Sequence, residues 1–285
     1  MKKKSIILSV ILFSFLFFAC SKSATMKNDK EKELEEKRAN LGIKFQKVYG
    51  YKYKDNLIDE NSEFLLELLE YNKKGQLIRA EYYDTYPNGE KHIMKLLYEV
   101  DEYGNPISME FFYDSDEVNE IFKYEYENGV LSEITVNSSE GDLTQKMRYT
   151  YDNNGNIIKQ ISFNSDGDAV YRVIRDYDKS SEEIEYKRYG ENNVLTEHYR
   201  LINIEGNKKI YQWFDERGGI TQTTNKFFNE NNLLIREEVE EVSPRGIINS
   251  SIEYKYDNNE FLIEQIYFDG NDNPEIIKKT VWETF

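Results

Sequence analysis

Apolar and polar residues alternate along much of the chain. In Phe122-Lys123-Tyr124-Glu125-Tyr126 and in Ile252-Glu253-Tyr254-Lys255-Tyr256, aromatic or aliphatic side chains fill every second position and charges fill the rest. That period of two is the signature of a strand with one buried face. Clusters of Asn, Asp and Gly separate such stretches; their side chains bond the local backbone, or their missing Cβ permits a positive φ. Turn residues recur at Gly75, Gly89, Gly104, Asp116, Gly129, Gly141, Gly155, Gly167, Ser181, Asn193, Gly206, Gly218, Asn232, Gly246, Glu260 and Asp272, a step of about 13 residues. A step of that size less its turn leaves strands of about nine residues, roughly 30 Å long.

The steps alternate in character. Tyr71, Tyr151, Tyr177 and Tyr256 lead one set, each four positions before the turn residue, with Leu or Ile just after it; phenylalanine leads the other, as in Phe163-Asn164-Ser165-Asp166-Gly167 and Phe268-Asp269-Gly270-Asn271-Asp272. The repeating unit is therefore a β-hairpin of about 26 residues. Helices are disfavoured because apolar positions do not persist at spacings of three and four, and Gly and Asn would break a helix at every step. The most helix-like segment, Phe64-Leu65-Leu66-Glu67-Leu68-Leu69, reads as a fully buried first strand. The expected fold is all-β, an antiparallel meander of about 16 to 18 strands that is extended, coiled or curled toward an open barrel.

The first twenty residues obey another logic. Lys2, Lys3 and Lys4 precede an apolar run from Ile6 to Ala19, interrupted by Ser9 and Ser14, which ends at Cys20. A charged start followed by a short apolar run is an export signal, and the run is shorter than the roughly 18 to 20 residues of a membrane-spanning helix. Cys20 is the only cysteine in the chain, so it has no intramolecular disulfide partner. This segment resembles a bacterial lipoprotein signal peptide. The resemblance implies cleavage before Cys20, a diacylglyceryl group on its sulfur and acylation of the new amino terminus, which place the protein at the outer membrane or cell surface. Several acyl chains hold a protein stably where one alone is marginal. Residues 20 to 40 are almost wholly polar, and Leu34 and Ala39 make no packing face, so the stretch reads as a solvated tether. The organisation is then a signal peptide over 1–19, a tether over 20–40 and the β-hairpin domain over 41–285.

Lys plus Arg total 37 against 53 Asp plus Glu, a net charge of −16. No basic field grips phosphates, which argues against nucleic acid as a partner. The units Tyr151-Asp152-Asn153-Asn154-Gly155-Asn156-Ile157-Ile158 and Tyr256-Asp257-Asn258-Asn259-Glu260-Phe261-Leu262-Ile263 resemble the YD (RHS) repeat, which implies consecutive hairpins winding into a long curved sheet. Pro87-Asn88-Gly89 and Glu127-Asn128-Gly129-Val130-Leu131 resemble MORN-like hairpins, which imply the same architecture with a binding role.

The inventory for catalysis is thin. His92 and His198 are the only histidines, so with one cysteine no thiolate zinc site or Cys/His nucleophile is available, and the chain holds no Gly-x-Ser-x-Gly elbow. The acidic turns Asn164–Asp168 and Asp269–Asn273 lack the spacing and terminal Glu of a calcium loop. No cofactor or metal is expected. Trp213, Trp282 and the tyrosines offer aromatic faces for a sugar or peptide. These features point to a non-catalytic envelope protein that binds a protein or glycan partner. The alternative is a periplasmic hydrolase or chaperone-like factor that uses a carboxylate pair or a groove of the sheet.

Overall fold

The computed structural model describes residues 29–54, 57–85 and 91–285. A helix, α1 (Asp29–Asn40), precedes eighteen strands. They are β1 (Ile43–Lys54), β2 (Leu57–Tyr71), β3 (Leu77–Thr85), β4 (Lys91–Val100), β5 (Pro106–Tyr113) and β6 (Glu120–Glu127). Next come β7 (Val130–Ser138), β8 (Leu143–Tyr151), β9 (Ile157–Asn164), β10 (Ala169–Tyr177), β11 (Glu183–Tyr189) and β12 (Leu195–Glu205). The last six are β13 (Lys208–Phe214), β14 (Ile220–Phe228), β15 (Leu234–Ser243), β16 (Gly246–Tyr256), β17 (Leu262–Phe268) and β18 (Pro274–Thr284).

Each strand pairs antiparallel with the next, and β1 pairs with β18 from Ile43 opposite Thr284 to Lys52 opposite Ile276. The meander is thus a closed barrel, where the sequence pointed to an extended, coiled or open form. Closure pairs segments from opposite ends of the β domain, Ile43 with Thr284 and Lys52 with Ile276, which no local pattern encodes. It removes the unpaired edges on which charged residues would otherwise guard against aggregation. The run Phe64–Leu69 is strand, as expected, yet it belongs to the second strand and is only half-buried, because successive residues point to opposite faces.

The turns are built alike. In the five-residue turn from Asp152 to Asn156, the Asp152 carboxylate accepts the backbone N–H groups of Asn154 and Asn156 at 2.8 and 2.9 Å. The fourth residue, Gly155, takes φ +83°. The same side-chain bonds recur at Asp101, Asp178, Asp215, Asn229, Asp257 and Asp269. Where glycine is lost the geometry holds: Ser181, Asn232 and Glu260 adopt φ values of 61°, 58° and 65°. One expected turn centre differs, and another is not described. The β5–β6 connection places its positive φ at Asp114 instead of Asp116, and Gly89, with Pro87 and Asn88, lies outside the described residues.

Tyrosines tie successive units together. The hydroxyls of Tyr126, Tyr151, Tyr177 and Tyr256 donate to the carbonyls of Pro106, Leu131, Ile157 and Leu234, each some twenty residues upstream. The paired Tyr and Asp therefore divide the work: Tyr locks one hairpin to its predecessor, and Asp closes the turn between them.

Over Asp29–Asn40 the expected free tether is instead a docked helix. Leu34 packs against a cluster of Ile43, Tyr71 and Phe261. Arg38 donates to the Gly75 carbonyl at 2.9 Å and lies over the Tyr71 ring, while Lys37 pairs with Glu260 at 3.4 Å. A single apolar side chain suffices because the cluster at the barrel end supplies the other half of the contact. These bonds bridge the β2–β3 and β16–β17 turns, on either side of the strands where the chain's two ends meet.

Candidate functional site

The cross-strand register carries one face of the sheet through the strands from β2 to β14. Leu69 faces Ala80, Ala80 faces Leu96, Leu96 faces Phe111, Met109 faces Phe122, Phe122 faces Val136 and Ile134 faces Met147. It continues through Ser162 opposite Tyr171, Arg175 opposite Tyr186, Tyr186 opposite Tyr199, Tyr199 opposite Trp213 and Tyr211 opposite Thr224. None of these residues is exposed, whereas Lys123, Glu125, Arg148, Arg200 and Glu240 on the alternate positions are. The first face is therefore the barrel interior.

The outward face is charged. Glu133 binds Lys146 and Arg148, Glu185 binds Lys187, His198 and Arg200, and Arg236 binds Glu238 and Glu253. Its aromatic residues lie beneath cations: Lys95 over Phe112 and Arg172 over Tyr189. A barrel that spans a bilayer presents an outward apolar band about 25 Å tall, and rows of ion pairs do not make one.

Along β3–β8 the interior is packed with Leu, Met, Phe and Val, which bury one another. From β10 to β14 it becomes aromatic and polar. Tyr186 and Tyr199 stack with centroids 5.0 Å apart and planes 5° from parallel. Tyr199 also contacts Trp213 at 5.1 Å and Tyr211 at 6.2 Å edge-on. All four rings are half-buried, so solvent reaches them. Sheet geometry explains the ladder, because neighbouring strands bring directly opposed side chains within stacking distance.

Charged groups frame these rings. At the barrel end, Glu183 pairs with Arg175 at 3.2 Å and accepts the Tyr199 hydroxyl. Glu182 accepts the Tyr211 hydroxyl at 2.9 Å and pairs with Lys209 at 2.7 Å. Burial, and then the nearby Glu183 carboxylate, push the Tyr199 hydroxyl far above the ordinary tyrosine range. Burial pushes Tyr186 up to about 12. Further along the wall Glu197 is raised by burial, against the pull of Arg188 and Arg175. Tyr171, which accepts from Gln160 at 3.1 Å, forms the border with the apolar half. Such a wall offers flat apolar faces for a ring and an alternation of donors and acceptors beside them. It suits recognition by stacking and hydrogen bonding.

The sequence candidates separate in space. Trp213 lies in this wall, whereas Trp282 packs against Phe261 at 4.8 Å near α1. His92 on β4 bonds Asp114 and stacks on Tyr113, and His198 bonds Glu185 at 2.9 Å on the outward face; the two histidines share no site. Asn164 and Asp269 spend their side-chain oxygens on backbone N–H groups of their own turns. Among the described residues no three His, Cys, Asp or Glu are grouped to hold a metal ion. Cys20 lies outside the described residues. The sequence reading missed Arg175, Arg188 and Glu197, whose signal is a charge at positions where neighbouring units carry apolar residues.

No protein-family model and no curated protein matches the chain. Solved structures that it resembles include a porin-like protein from Bacteroides uniformis, at 8% identity and a TM-score of 0.46, covering 85% of this chain and 98% of that one. A porin-like protein from Bacteroides vulgatus is similar at 10% identity and a TM-score of 0.29, covering 84% and 98%. An exported protein with a YmcC-like fold from Bacteroides fragilis is similar at 7% identity and a TM-score of 0.21, covering 84% and 94%. No helix among the described residues is long and apolar enough to cross a membrane.

Proposed function

We propose that the protein is a non-catalytic binding protein of the bacterial envelope, held at the outer membrane or cell surface by lipid on Cys20, and that the β10–β14 interior binds a glycan. One observation carries the reading: Tyr186, Tyr199, Tyr211 and Trp213 form a continuous, solvent-reached aromatic row inside the barrel. Rings held by the sheet stack on a ligand at little conformational cost, and the adjacent carboxylates and guanidinium groups match hydroxyls. The interior placement favours a chain of sugar rings over the broad, flatter surface of a folded protein.

The test is intrinsic fluorescence during titration with a panel of oligosaccharides. Binding is expected to change Trp213 emission, and Trp213→Ala is expected to weaken it at least tenfold while the fold, followed by circular dichroism, is retained. A panel that produces no binding, or binding indifferent to Trp213→Ala, removes the reading. Attachment is checked separately: palmitate labelling is expected to vanish in Cys20→Ala, and persistence there overturns it.

A further inference from the structure

We propose that the glycan is acidic, a saccharide bearing carboxylates of the uronate kind, with Arg188 as the carboxylate-binding residue; this rests on the glycan reading above. Arg188 on β11 and Glu197 on β12 are direct cross-strand partners on the interior face. Opposite charges so placed ordinarily pair. Among the described residues no hydrogen bond or ion pair reaches either side chain, and both are half-buried. The Arg188 guanidinium carbon lies 5.0 Å from the Tyr171 ring centroid, a contact with a π face that uses none of its N–H groups as hydrogen-bond donors to a carboxylate.

A guanidinium and a carboxylate that share one cross-strand position without bonding each other keep donors and acceptors for a ligand beside the stacked aromatic row. The guanidinium edge is a planar fork of donors that fits a carboxylate bidentately. Glu197 matches hydroxyl groups. The rings of Tyr186, Tyr199 and Trp213 match a pyranose face. A neutral sugar would leave the guanidinium unsatisfied, and a simple inorganic anion would leave the rings and Glu197 unused. Only a molecule combining ring, hydroxyls and carboxylate meets all three.

The experiment applies the full-length protein to an array of uronate-bearing oligosaccharides printed beside their carboxyl-reduced counterparts. Signals on at least one uronate series are expected to exceed those on its reduced partner tenfold or more. Arg188→Gln is expected to abolish that preference and Arg188→Lys to keep part of it, since the charge remains and the fork is lost. Glu197→Gln should weaken binding to the acidic glycan without removing the preference for it. Equal binding to acid and reduced forms, lost in Trp213→Ala, overturns the acidic ligand and leaves the glycan reading standing. So does a preference that survives Arg188→Gln. Absence of binding to every glycan overturns both. Arg188→Lys preserves the cation over Tyr171, so it distinguishes a folding failure in Arg188→Gln from a loss of recognition.

Discussion

Two walls of one barrel share a backbone and differ in what they turn inward. On β3–β9 the interior residues include Ala80, Met109, Val136 and Met147, each 2% exposed or less. Among the interior residues of β11–β17 that continue the face, Thr224 is buried, whereas Tyr186, Arg188, Tyr199, Trp213 and Tyr254 are half-buried. The turns and tyrosine ties are the same on both sides. The difference teaches that the repeat specifies the scaffold, while the interior positions are free to vary: one wall has spent them on a dry core, and the other on groups that still have surface to offer.

The sharpest way to break this contrast is to truncate one residue in each wall. Met147→Ala is expected to destabilise by about 2 to 5 kcal/mol, the range for large-to-small changes in a dry core. Trp213→Ala removes a larger side chain yet is expected to cost less than half as much, because solvent already reaches the ring. Urea unfolding of both variants checks this. Equal losses would show that the β10–β14 wall is core, and the binding reading would lose its ground.

The seam joining the walls gives the next effect. Gly75 has φ +76°, and a Cβ there would lie 2.1 Å from the Glu35 carbonyl of α1. Gly167 has φ +87° with nothing within 4 Å. Both Ala substitutions carry the left-handed penalty of about 1 to 2 kcal/mol, but only Gly75→Ala must also expel the helix. The excess loss of Gly75→Ala over Gly167→Ala measures the docking of α1, and cleavage within residues 29–40 by limited proteolysis is expected in that variant alone.

The shared scaffold should respond evenly. Tyr126→Phe and Tyr151→Phe lie in the dry half, Tyr177→Phe and Tyr256→Phe in the other, and each removes one hydroxyl donated to a carbonyl. A loss of about 0.5 to 1.5 kcal/mol apiece is expected by thermal or urea unfolding. Losses confined to one half would show that the ties, and not only the interior residues, differ between walls.

Much of this was legible in the chain. Alternation in Phe122–Tyr126 set strand and face, and the Tyr-Asp pairs set the turns, even where Ser181 or Glu260 replaces glycine. Closure was not legible, because the β1–β18 pairing joins distant segments whose local patterns resemble every other strand. The docking of α1 was hidden because Leu34 alone cannot announce a partner formed by Ile43, Tyr71 and Phe261. The wall was half visible: Trp213 and the tyrosines stood out, but the facing of Arg188 and Glu197 depends on a register that bulges alter, as between Arg188 and Tyr189.

The smallest effect concerns protons. Glu197 is raised by burial, with Arg188 and Arg175 pulling the other way, so the folded protein holds this proton more tightly than the unfolded chain. The stability Glu197 contributes is therefore full below the unfolded carboxylate value, about 4.3, and is lost as pH rises from there through the raised folded value. Turn aspartates behave oppositely: Asp101 and Asp152 are lowered by the hydrogen bonds they accept, against the opposing effect of burial. Their contribution is present above the unfolded value and is lost as pH falls through the folded one. In Glu197→Gln the first component disappears and the second remains. The variant is expected to melt above the parent at pH 7 and to converge with it near pH 4, while Asp152→Asn should show its deficit at pH 7 and lose it in acid. A Glu197→Gln variant less stable than the parent at pH 7 would mean that the carboxylate is paired inside the wall, and Arg188 and Glu197 would no longer be available to a ligand.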